Sequence, residues 1–373
     1  MFILKYSDFG KTGCKVSRLG FGAMRLPLTN PDDSASINVD EAVKMLRHAI
    51  DSGVNYIDTA FFYHNGESEK VVGQALKDGY REKTYLATKL PMGEVKETAD
   101  FDRILNTQLE KLGTDHIDFY LFHALNEPHW ENAKKLGLVD KMKQAKADGR
   151  IRHYGFSFHD NPEIFTRIVD EYDGCEFCQI QLNYLDVDHQ AGVDGLKYAA
   201  SKGLGVIIME PVRGGRLANP SDDITAALPQ NRTPVENALA FLWDMKEVSL
   251  LLSGMSNAQQ VEQNLASADR FDVGCLTEDE RRQFAEAKKI FDKSTLIPCT
   301  ACNYCQPCPN DVEIPKVFAA YNRIEDGNLR DVRAAMPDIE DVIGRCVKCG
   351  ICEEKCPQQI KIIETLRNIQ RRF

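Results

Sequence analysis

The sequence predicts an α/β protein, a (β/α)₈ barrel followed by a small, mainly helical domain rich in cysteine. Three observations lead to this prediction. The chain has 373 residues, which suits a barrel of about 250 residues with an added module. Eight apolar, β-rich runs recur with helical stretches between them. Eight of the 12 cysteines lie between positions 299 and 356, which locates the second module.

The eight apolar runs are interpreted as the strands of the barrel. Most of them are spaced about 25–35 residues apart, which is the repeat of βα units rather than of a sandwich. They lack apolar–polar alternation, as expected for strands buried on both faces. The predicted strands are 16–23, 54–58, 84–89, 118–123, 151–157, 177–183, 205–210 and 249–253. Eight units favour a closed TIM barrel, and an open doubly wound sheet is the alternative.

Helix signals fall between the strands, and they also mark the end of the barrel. Asn38 and Thr233 are predicted N-caps, each followed three residues later by a glutamate. Residues 1–15 predict a hairpin before the first strand, and no strand-like run follows residue 275. We therefore expect a barrel over 1–275, a connecting helix over 276–296 and a ferredoxin-like domain over 297–373.

Composition excludes several classes of function. The net charge of −10 gives no electrostatic reason to bind nucleic acid or an anionic membrane. No apolar run approaches the roughly 18 residues of a spanning helix. The N-terminus lacks a charged region followed by an apolar one, so no secretion signal is expected. These features predict a cytoplasmic protein without a nucleic-acid or membrane partner.

The cysteines near the C-terminus form two groups. The second group, C-x2-C-x2-C-x3-C-P, has iron–sulfur spacing, in which three thiolates hold one cluster and the fourth reaches a second cluster. The first group has one residue fewer before its last cysteine, which leaves its ligand assignment open. Eight thiolates suit two 4Fe–4S clusters, and two zinc sites are the alternative. The predicted ligands are Cys299, Cys302, Cys305, Cys308, Cys346, Cys349, Cys352 and Cys356.

Four cysteines lie outside these groups. Cys175 and Cys178 have thioredoxin-like spacing, but they enter a predicted buried strand and are interpreted as core residues. Cys14 and Cys275 are interpreted as structural residues.

Four polar residues follow consecutive predicted strands, at the end where barrel active sites form. Asp58, Lys89 and His123 end their strands, and Tyr63 comes just after the first of these strands. An ammonium beside a phenol eases loss of the phenolic proton, and a histidine can polarise a carbonyl oxygen. Singly, an ion pair and a core histidine would explain these residues. Together they predict carbonyl reduction.

With these residues the chain resembles the aldo-keto reductases over about residues 5–270. The matching motifs are K-T-G at 11–13, L-G-F-G at 19–22 and N-Y-I-D-T-A at 55–60. The resemblance implies that Tyr63 is the acid, that Lys89 and Asp58 tune it, and that His123 orients the carbonyl. A barrel followed by a cysteine-rich tail is similar to the iron–sulfur branch of this family.

The same resemblance implies a nicotinamide cofactor, NADP or NAD. Ser157 and Gln181 would contact the carboxamide, and Tyr184 would stack on the ring. The implied pyrophosphate loop includes Glu210, Pro211, Arg213 and Gly214, and the implied adenosine contacts are Ser256, Gln260 and Asn264.

The chain departs from the family pattern at two positions. Phe158 and His159 follow Ser157 where many members have an asparagine, so one carboxamide contact is missing or replaced. Gln260 stands where many members have an arginine for the 2′-phosphate, which leaves NADP and NAD both open.

The leading hypothesis is an oxidoreductase that reduces a small-molecule carbonyl, or oxidises an alcohol, with two 4Fe–4S clusters as electron-transfer centres. Hydride carries two electrons and each cluster carries one, so coupling them normally requires a flavin or a radical-stable substrate. The first alternative is therefore a flavin-binding barrel that the clusters connect to a ferredoxin-like electron partner. The second is a redox-sensing regulatory protein with structural clusters.

Overall fold

The computed structural model describes residues 2–31, 33–294, 297–322 and 329–373. The chain forms two compact units, Met1–Val212 with Leu228–Phe284, and Arg213–Ala227 with Ala285–Phe373. The sequence-based division at 275 and 296 stays a prediction. By compactness the first unit ends at Phe284, whose ring packs against Tyr184 and Phe241. Residues 295–296, where the predicted connecting helix ends, lie outside the described residues.

The first unit begins with a hairpin and continues into a closed barrel. Strand β1 (Tyr6–Asp8) pairs antiparallel with β2 (Lys15–Ser17). The barrel strands are β3 (Leu19–Gly22), β4 (Tyr56–Asp58), β5 (Tyr85–Pro91), β6 (Ile117–Leu125), β7 (Ile151–Phe158), β8 (Phe177–Gln181), β9 (Gly205–Met209) and β10 (Leu250–Gly254). Each pairs in parallel with the next, and β10 pairs with β3. The predicted (β/α)₈ barrel is confirmed, and the open-sheet alternative is wrong.

The hairpin closes the amino-terminal end of the barrel. Phe9 is fully buried there, with its ring centroid 6.1 Å from that of Tyr56 and 5.0 Å from that of Phe119. Gly10 has a φ of 54°, and a Cβ at this position would lie 2.2 Å from the backbone nitrogen of Gly205. Only glycine therefore allows this approach. The opposite, carboxyl-terminal end of the barrel is therefore where an active site is expected.

Helices follow the strands of the first unit and make up the second. They are α1 (Val39–Asp51), α2 (Ser68–Ala75), α3 (Ala99–Leu112), α4 (Glu127–Lys135), α5 (Leu138–Ala147), α6 (Pro162–Glu171), α7 (Gly192–Ser201), α8 (Asp222–Ala227), α9 (Pro234–Trp243), α10 (Ala258–Arg270), α11 (Glu278–Ser294), α12 (Ile314–Tyr321), α13 (Arg330–Ala335), α14 (Ile339–Gly344), α15 (Ile351–Glu354) and α16 (Ile362–Gln370). The two predicted N-caps are confirmed, because Asn38 accepts from the Glu41 nitrogen and Thr233 forms a capping box with Glu236. Among the described residues, no helix is long and apolar enough to cross a membrane.

The second unit is helical around its own apolar core, as the sequence predicted. Its buried side chains come mainly from α12, α14 and α16 and include Val317, Phe318, Ile343 and Leu366. Six of the eight clustered cysteines are partly buried against this core: Cys299, Cys305, Cys308, Cys346, Cys352 and Cys356. The apolar side chains therefore hold both cysteine groups within one small core.

Candidate active site and cluster domain

Four polar side chains meet at the carboxyl-terminal end of β4, β5 and β6. Asp58 is the last residue of β4, and Lys89 and His123 lie near the ends of β5 and β6. Tyr63 begins a 3₁₀ turn that follows β4. Parallel pairing in register aligns these strand ends on one rim. The rule that barrel strand ends converge thus correctly predicted this grouping.

Lys89 is the centre of the group. Its ammonium donates to Asp58 Oδ1 at 2.6 Å, to the Thr59 carbonyl at 2.7 Å and to the Tyr63 hydroxyl at 3.4 Å. The Lys89 and Asp58 side chains are only 1% and 3% exposed. Burial raises the pKa of Asp58 and lowers that of Lys89, and their mutual attraction opposes both shifts. The pair therefore holds a positive charge beside the phenol.

The Lys89 charge makes the Tyr63 phenol a better proton donor. The Lys89 nitrogen lies 4.9 Å from the centroid of the Tyr63 ring, and Tyr63 itself is 8% exposed. A cation this close favours the phenolate that remains when the phenol donates its proton. Water competes little at such a buried position, so the electrostatic effect is strong.

His123 completes the group as a neutral hydrogen-bonding residue. Its ring centroid lies 6.1 Å from that of Tyr63. Burial lowers the pKa of His123 well below its usual value, and the charges of Lys89, His159 and His129 lower it further. A neutral imidazole carries one N–H, which can donate to a carbonyl oxygen.

We expect His123 to show no titration between pH 6 and 8. The unfolded chain binds a proton near pH 6.5 and the folded one only at lower pH, so His123 contributes stability that is lost as the pH falls through its folded pKa. The measurement is NMR of histidine labelled with ¹⁵N in the ring, with His123→Asn to assign the signal. A midpoint near pH 6.5 would contradict the neutral role.

A buried polar network contacts the backbone of Lys89, and it was not predicted from the sequence. Glu69 on α2 is fully buried and accepts from Thr88 Oγ1 and from Gln108 Nε2, both at 2.7 Å. The Gln108 amide also donates to the backbone carbonyl of Lys89 at 3.0 Å. The sequence carries no clear signal for it, because Glu69 lies in a helix that also contains Lys70 and Gln74.

The implied carboxamide contacts lie at the ends of β7 and β8. Ser157 Oγ accepts from the Ala124 nitrogen at 2.7 Å. The Gln181 amide donates to the buried carboxylate of Asp186 at 2.9 Å. Gln179, which the sequence analysis missed, faces Ser157 in the strand register. Its Oε1 is buried without a hydrogen-bond partner among the described residues, so a ligand with an N–H donor would fit here.

Tyr184 packs against two phenylalanine rings. The residue is 1% exposed, and its ring centroid lies 5.4 Å from that of Phe284 and 6.3 Å from that of Phe241. Stacking of the Tyr184 ring on a nicotinamide stays a prediction. His159, the second residue after Ser157, bonds Gln190 through Nδ1 at 3.2 Å.

The implied adenosine contacts lie at the start of α10. Gln260 Oε1 accepts from the Ser256 nitrogen at 2.7 Å, and Asn264 donates to Ser253 Oγ at 2.9 Å. The structure thus brings Ser256, Gln260 and Asn264 together around the first turns of one helix.

Two of the implied pyrophosphate residues, Glu210 and Pro211, follow β9, and the Glu210 carbonyl accepts from Asn183 at 3.3 Å.

The other implied pyrophosphate residues belong to the second unit. Gly214 has a φ of 65° inside a 3₁₀ turn. Arg213 is 2% exposed, and its guanidinium lies 4.5 Å from the centroid of the Phe291 ring. The sequence predicts loop residues here, but the Arg213 side chain is packed within its own unit.

The first three cysteines of the first group lie near the last cysteine of the second. Burial and then the thiols of Cys302, Cys299 and Cys356 raise the pKa of Cys305 to about 12. The pKa of Cys356 is raised chiefly by burial and also by Cys299. Cys356 therefore sits with the first group in space, although the sequence separates them.

The remaining cysteines meet around one cavity. Cys308 lines it together with Cys346, Cys349 and Cys352, and Cys305 lines the same cavity. Among the described residues, no three His, Cys, Asp or Glu side chains converge on a point that one metal ion could occupy. Thiolates around a cubane bind separate irons and lie farther apart than around zinc.

Fold and site together define a barrel oxidoreductase with an iron–sulfur domain. Residues 18–233 match the aldo/keto reductase family, and residues 298–360 match the 4Fe–4S dicluster domain. The chain belongs to the aldo/keto reductase family and carries a C-terminal 4Fe–4S domain.

Similar proteins agree with this assignment. L-galactose dehydrogenase of Arabidopsis thaliana is 29% identical over 284 aligned positions, covering 69% of this chain and 86% of its own length. The NADH-specific methylglyoxal reductase of Escherichia coli is 25% identical, covering 71% and 93%. An aldo-keto reductase of Bacillus halodurans in its holo form has a TM-score of 0.66 at 24% identity, covering 76% and 96%. One of Klebsiella pneumoniae, solved with NADP and acetate, has a TM-score of 0.62 at 25% identity, covering 76% and 95%.

Proposed function

We propose that this protein is an NAD(P)-dependent carbonyl reductase, or the reverse alcohol dehydrogenase, with two 4Fe–4S clusters as electron-transfer centres. The observation that carries the proposal is the contact of the buried Lys89 with both Asp58 and the Tyr63 hydroxyl. An apolar pair would pack at this position as well as the ion pair of Lys89 and Asp58 does. Packing alone therefore does not explain why these charges are buried beside a phenol. The ammonium does make Tyr63 an effective proton donor.

In the reductive direction, each residue has one task. Tyr63 donates its proton to the carbonyl oxygen, and Lys89 stabilises the phenolate left behind. His123 donates a hydrogen bond to the same oxygen and so orients the carbonyl. Asp58 holds Lys89 in position. A bound reduced nicotinamide supplies the hydride.

The nicotinamide is supported by the residues at the ends of β7 and β8 and by relatives. The unpartnered Gln179 oxygen, opposite Ser157, suits a carboxamide N–H, and the start of α10 suits a phosphate or ribose. The Klebsiella enzyme binds NADP and the Escherichia coli enzyme is NADH-specific by name. With Gln260 at the 2′-phosphate position, we propose use of one of these two nucleotides without choosing between them.

The substrate is proposed to be a small carbonyl compound or alcohol. Relatives act, by name, on L-galactose and on methylglyoxal, which share an oxygen-rich, low-molecular-weight character. A buried acid such as Tyr63 reacts with one carbonyl group and needs no extended partner surface. We propose a cytoplasmic location because cysteine ligands of clusters persist in reducing compartments.

Two clusters with crossed ligands are proposed for the second unit. One would be held by Cys299, Cys302, Cys305 and Cys356, and the other by Cys308, Cys346, Cys349 and Cys352. The proximity of Cys356 to Cys305 and the cavity shared by Cys308 and Cys346 support this scheme. The crossing matches the general two-cluster pattern in which each fourth cysteine serves the other cluster.

Double variants test the crossing. Cys308→Ser alone should remove about four of about eight irons. Adding Cys346→Ser should remove no more, because both residues serve one cluster, whereas adding Cys305→Ser should remove nearly all. Iron and sulfide content and the EPR spectrum of the reduced protein measure this, with Cys275→Ser as a non-ligand control. The crossing is wrong if the Cys308/Cys346 pair loses both clusters and the Cys308/Cys305 pair loses one.

The proposed activity is tested on protein purified without oxygen. Bound cofactor is extracted and identified, and oxidation of NADPH and NADH is followed with a panel of aldehydes, ketones and quinones. We expect nicotinamide-dependent carbonyl reduction and a broad cluster absorption that reductant bleaches. Resolved flavin absorption would favour the electron-transfer alternative, with a ferredoxin-like partner. Absence of turnover across the panel would favour the regulatory one.

A further inference from the structure

Three polar side chains converge at the amino-terminal end of the barrel, opposite the Tyr63 group. Cys14 lies in the loop between β1 and β2, His153 near the start of β7, and Glu176 directly before β8. The mechanism proposed above uses none of them. From the sequence, Cys14 is predicted to be a structural residue, and 139 positions separate it from His153.

Their geometry is that of an activated thiol. Cys14 Sγ lies 3.6 Å from His153 Nε2, and His153 Nδ1 lies 2.8 Å from Glu176 Oε1. A carboxylate only accepts, so Nδ1 carries the proton of the neutral ring and Nε2 presents its lone pair to the thiol. Nucleophile, base and orienting carboxylate in this order form the general pattern of activated cysteines.

Surrounding residues hold the base in place. The His153 ring stacks on Phe119 at a centroid distance of 5.0 Å, which fixes its plane. Lys146 pairs with the second oxygen of Glu176 at 2.7 Å, so the carboxylate is anchored at both ends. Burial alone would raise the pKa of Glu176, but the bonds from His153 and Lys146 lower it.

Cys14 differs from the other cysteines outside the cluster groups. Burial raises the pKa of the Cys175, Cys178 and Cys275 thiols, which keeps them protonated and inert. Cys14 is partly exposed, and the His153 side chain is 16% exposed. A small reagent can therefore approach the thiol from the hairpin side.

We propose that Cys14 is a nucleophilic modification site for low-molecular-weight disulfides, with His153 as its base and Glu176 as the residue that positions that base. In the reaction, His153 takes the thiol proton and the Cys14 sulfur attacks one sulfur of the disulfide. A new S–S bond forms as the old one breaks, and the leaving thiolate takes the proton from His153. Cys14 is oxidised to a mixed disulfide, and half of the reagent is reduced to a thiol.

The ionisable groups that face this site come from several elements. Besides His153, the Tyr85 hydroxyl on β5 faces Cys14, and burial and then Cys14 raise the pKa of Tyr85. Asp118 acts on Tyr85 from β6. Lys15 is next to Cys14 in the chain but pairs with Asp8 at 3.8 Å on the exposed hairpin.

The test measures modification rates on the holoprotein with its clusters intact. Anaerobically purified protein is treated with oxidised glutathione from pH 6 to 9, and each cysteine is followed by peptide mass spectrometry. We expect Cys14 to react before Cys175 and Cys275. His153→Asn should slow the reaction of Cys14 by about tenfold or more at pH 7 and move its rate profile to that of an ordinary thiol near pH 8.5.

Matched variants separate activation from simple exposure. His116→Asn removes another carboxylate-paired histidine, one bonded to Asp115 at 2.6 Å, and should leave the Cys14 rate unchanged. Glu176→Gln, which is nearly isosteric, should give a Cys14 rate between those of the unmodified protein and His153→Asn. It replaces His153→Asn as the test if a melting curve shows that His153→Asn does not fold. The proposal is overturned if Cys14 reacts no faster than Cys175 and Cys275, or if both site variants leave its rate and pH profile unchanged.

Discussion

Replacing Tyr63 by phenylalanine should lower kcat for carbonyl reduction by about 10²- to 10⁴-fold, the usual contribution of a positioned general acid. The substitution removes one oxygen and keeps the ring, which is 8% exposed and lies over the Lys89 ammonium. The fold should therefore be retained. The measurement is steady-state oxidation of NADPH or NADH with the best substrate of the panel.

Two comparisons make this result specific to proton donation. Tyr80→Phe removes an exposed hydroxyl that bonds Asp51 at 2.8 Å and should leave kcat within about twofold, as expected for a surface change. Nucleotide affinity, measured by quenching of protein fluorescence, should stay unchanged in Tyr63→Phe. If kcat of Tyr63→Phe stays within about threefold of the unmodified enzyme, Tyr63 is not the acid.

Replacing Lys89 by methionine should abolish measurable turnover and also lower the free energy of unfolding by about 3–5 kcal/mol, as is typical when one partner of a buried ion pair is removed. Asp58 would be left 3% exposed without its cation, and Oδ2 of Asp58 already has no hydrogen-bond partner among the described residues. Methionine matches the length of the lysine stem, so little cavity forms. Denaturant unfolding measures the change.

The pH dependence identifies the cause of this loss. Burial raises the pKa of Asp58, and Lys89 opposes that shift, so the folded pKa of Asp58 rises further in Lys89→Met. A folded pKa above the unfolded value means stability that is present below about pH 4 and lost as the pH rises through the folded pKa. The deficit of Lys89→Met relative to the unmodified protein should therefore shrink as the pH falls from 7 toward 4.

A double variant provides the matched control. Asp58→Asn in the Lys89→Met background removes the uncompensated charge and should recover a large part of the lost stability, but none of the activity. A double variant as unstable as Lys89→Met, with a deficit that does not depend on pH, would mean that the loss comes from packing and not from the charge.

The architecture was predictable because its signals are local or periodic. Spaced apolar runs indicated the strands, and cysteine spacing within short segments indicated the cluster domain. The meeting of Asp58, Lys89 and His123 followed from one rule, that barrel strands end at the same rim. The contacts implied for the nicotinamide were harder to predict from the sequence, because they depend on packing between distant residues. Tyr184, for example, packs against Phe284, which lies 100 positions further along the chain.

By itself, then, the sequence determined the barrel, the cysteine-rich domain and the strand-end residues of the candidate site. Tertiary structure alone decided that Glu69 supports Lys89 through Gln108 and that Cys14 meets His153. The physical reason is the range of the information. Periodicity and short spacings predict contacts between residues that are close in the chain. Closure of the barrel brings distant strands together, and no local pattern predicts which of their side chains meet.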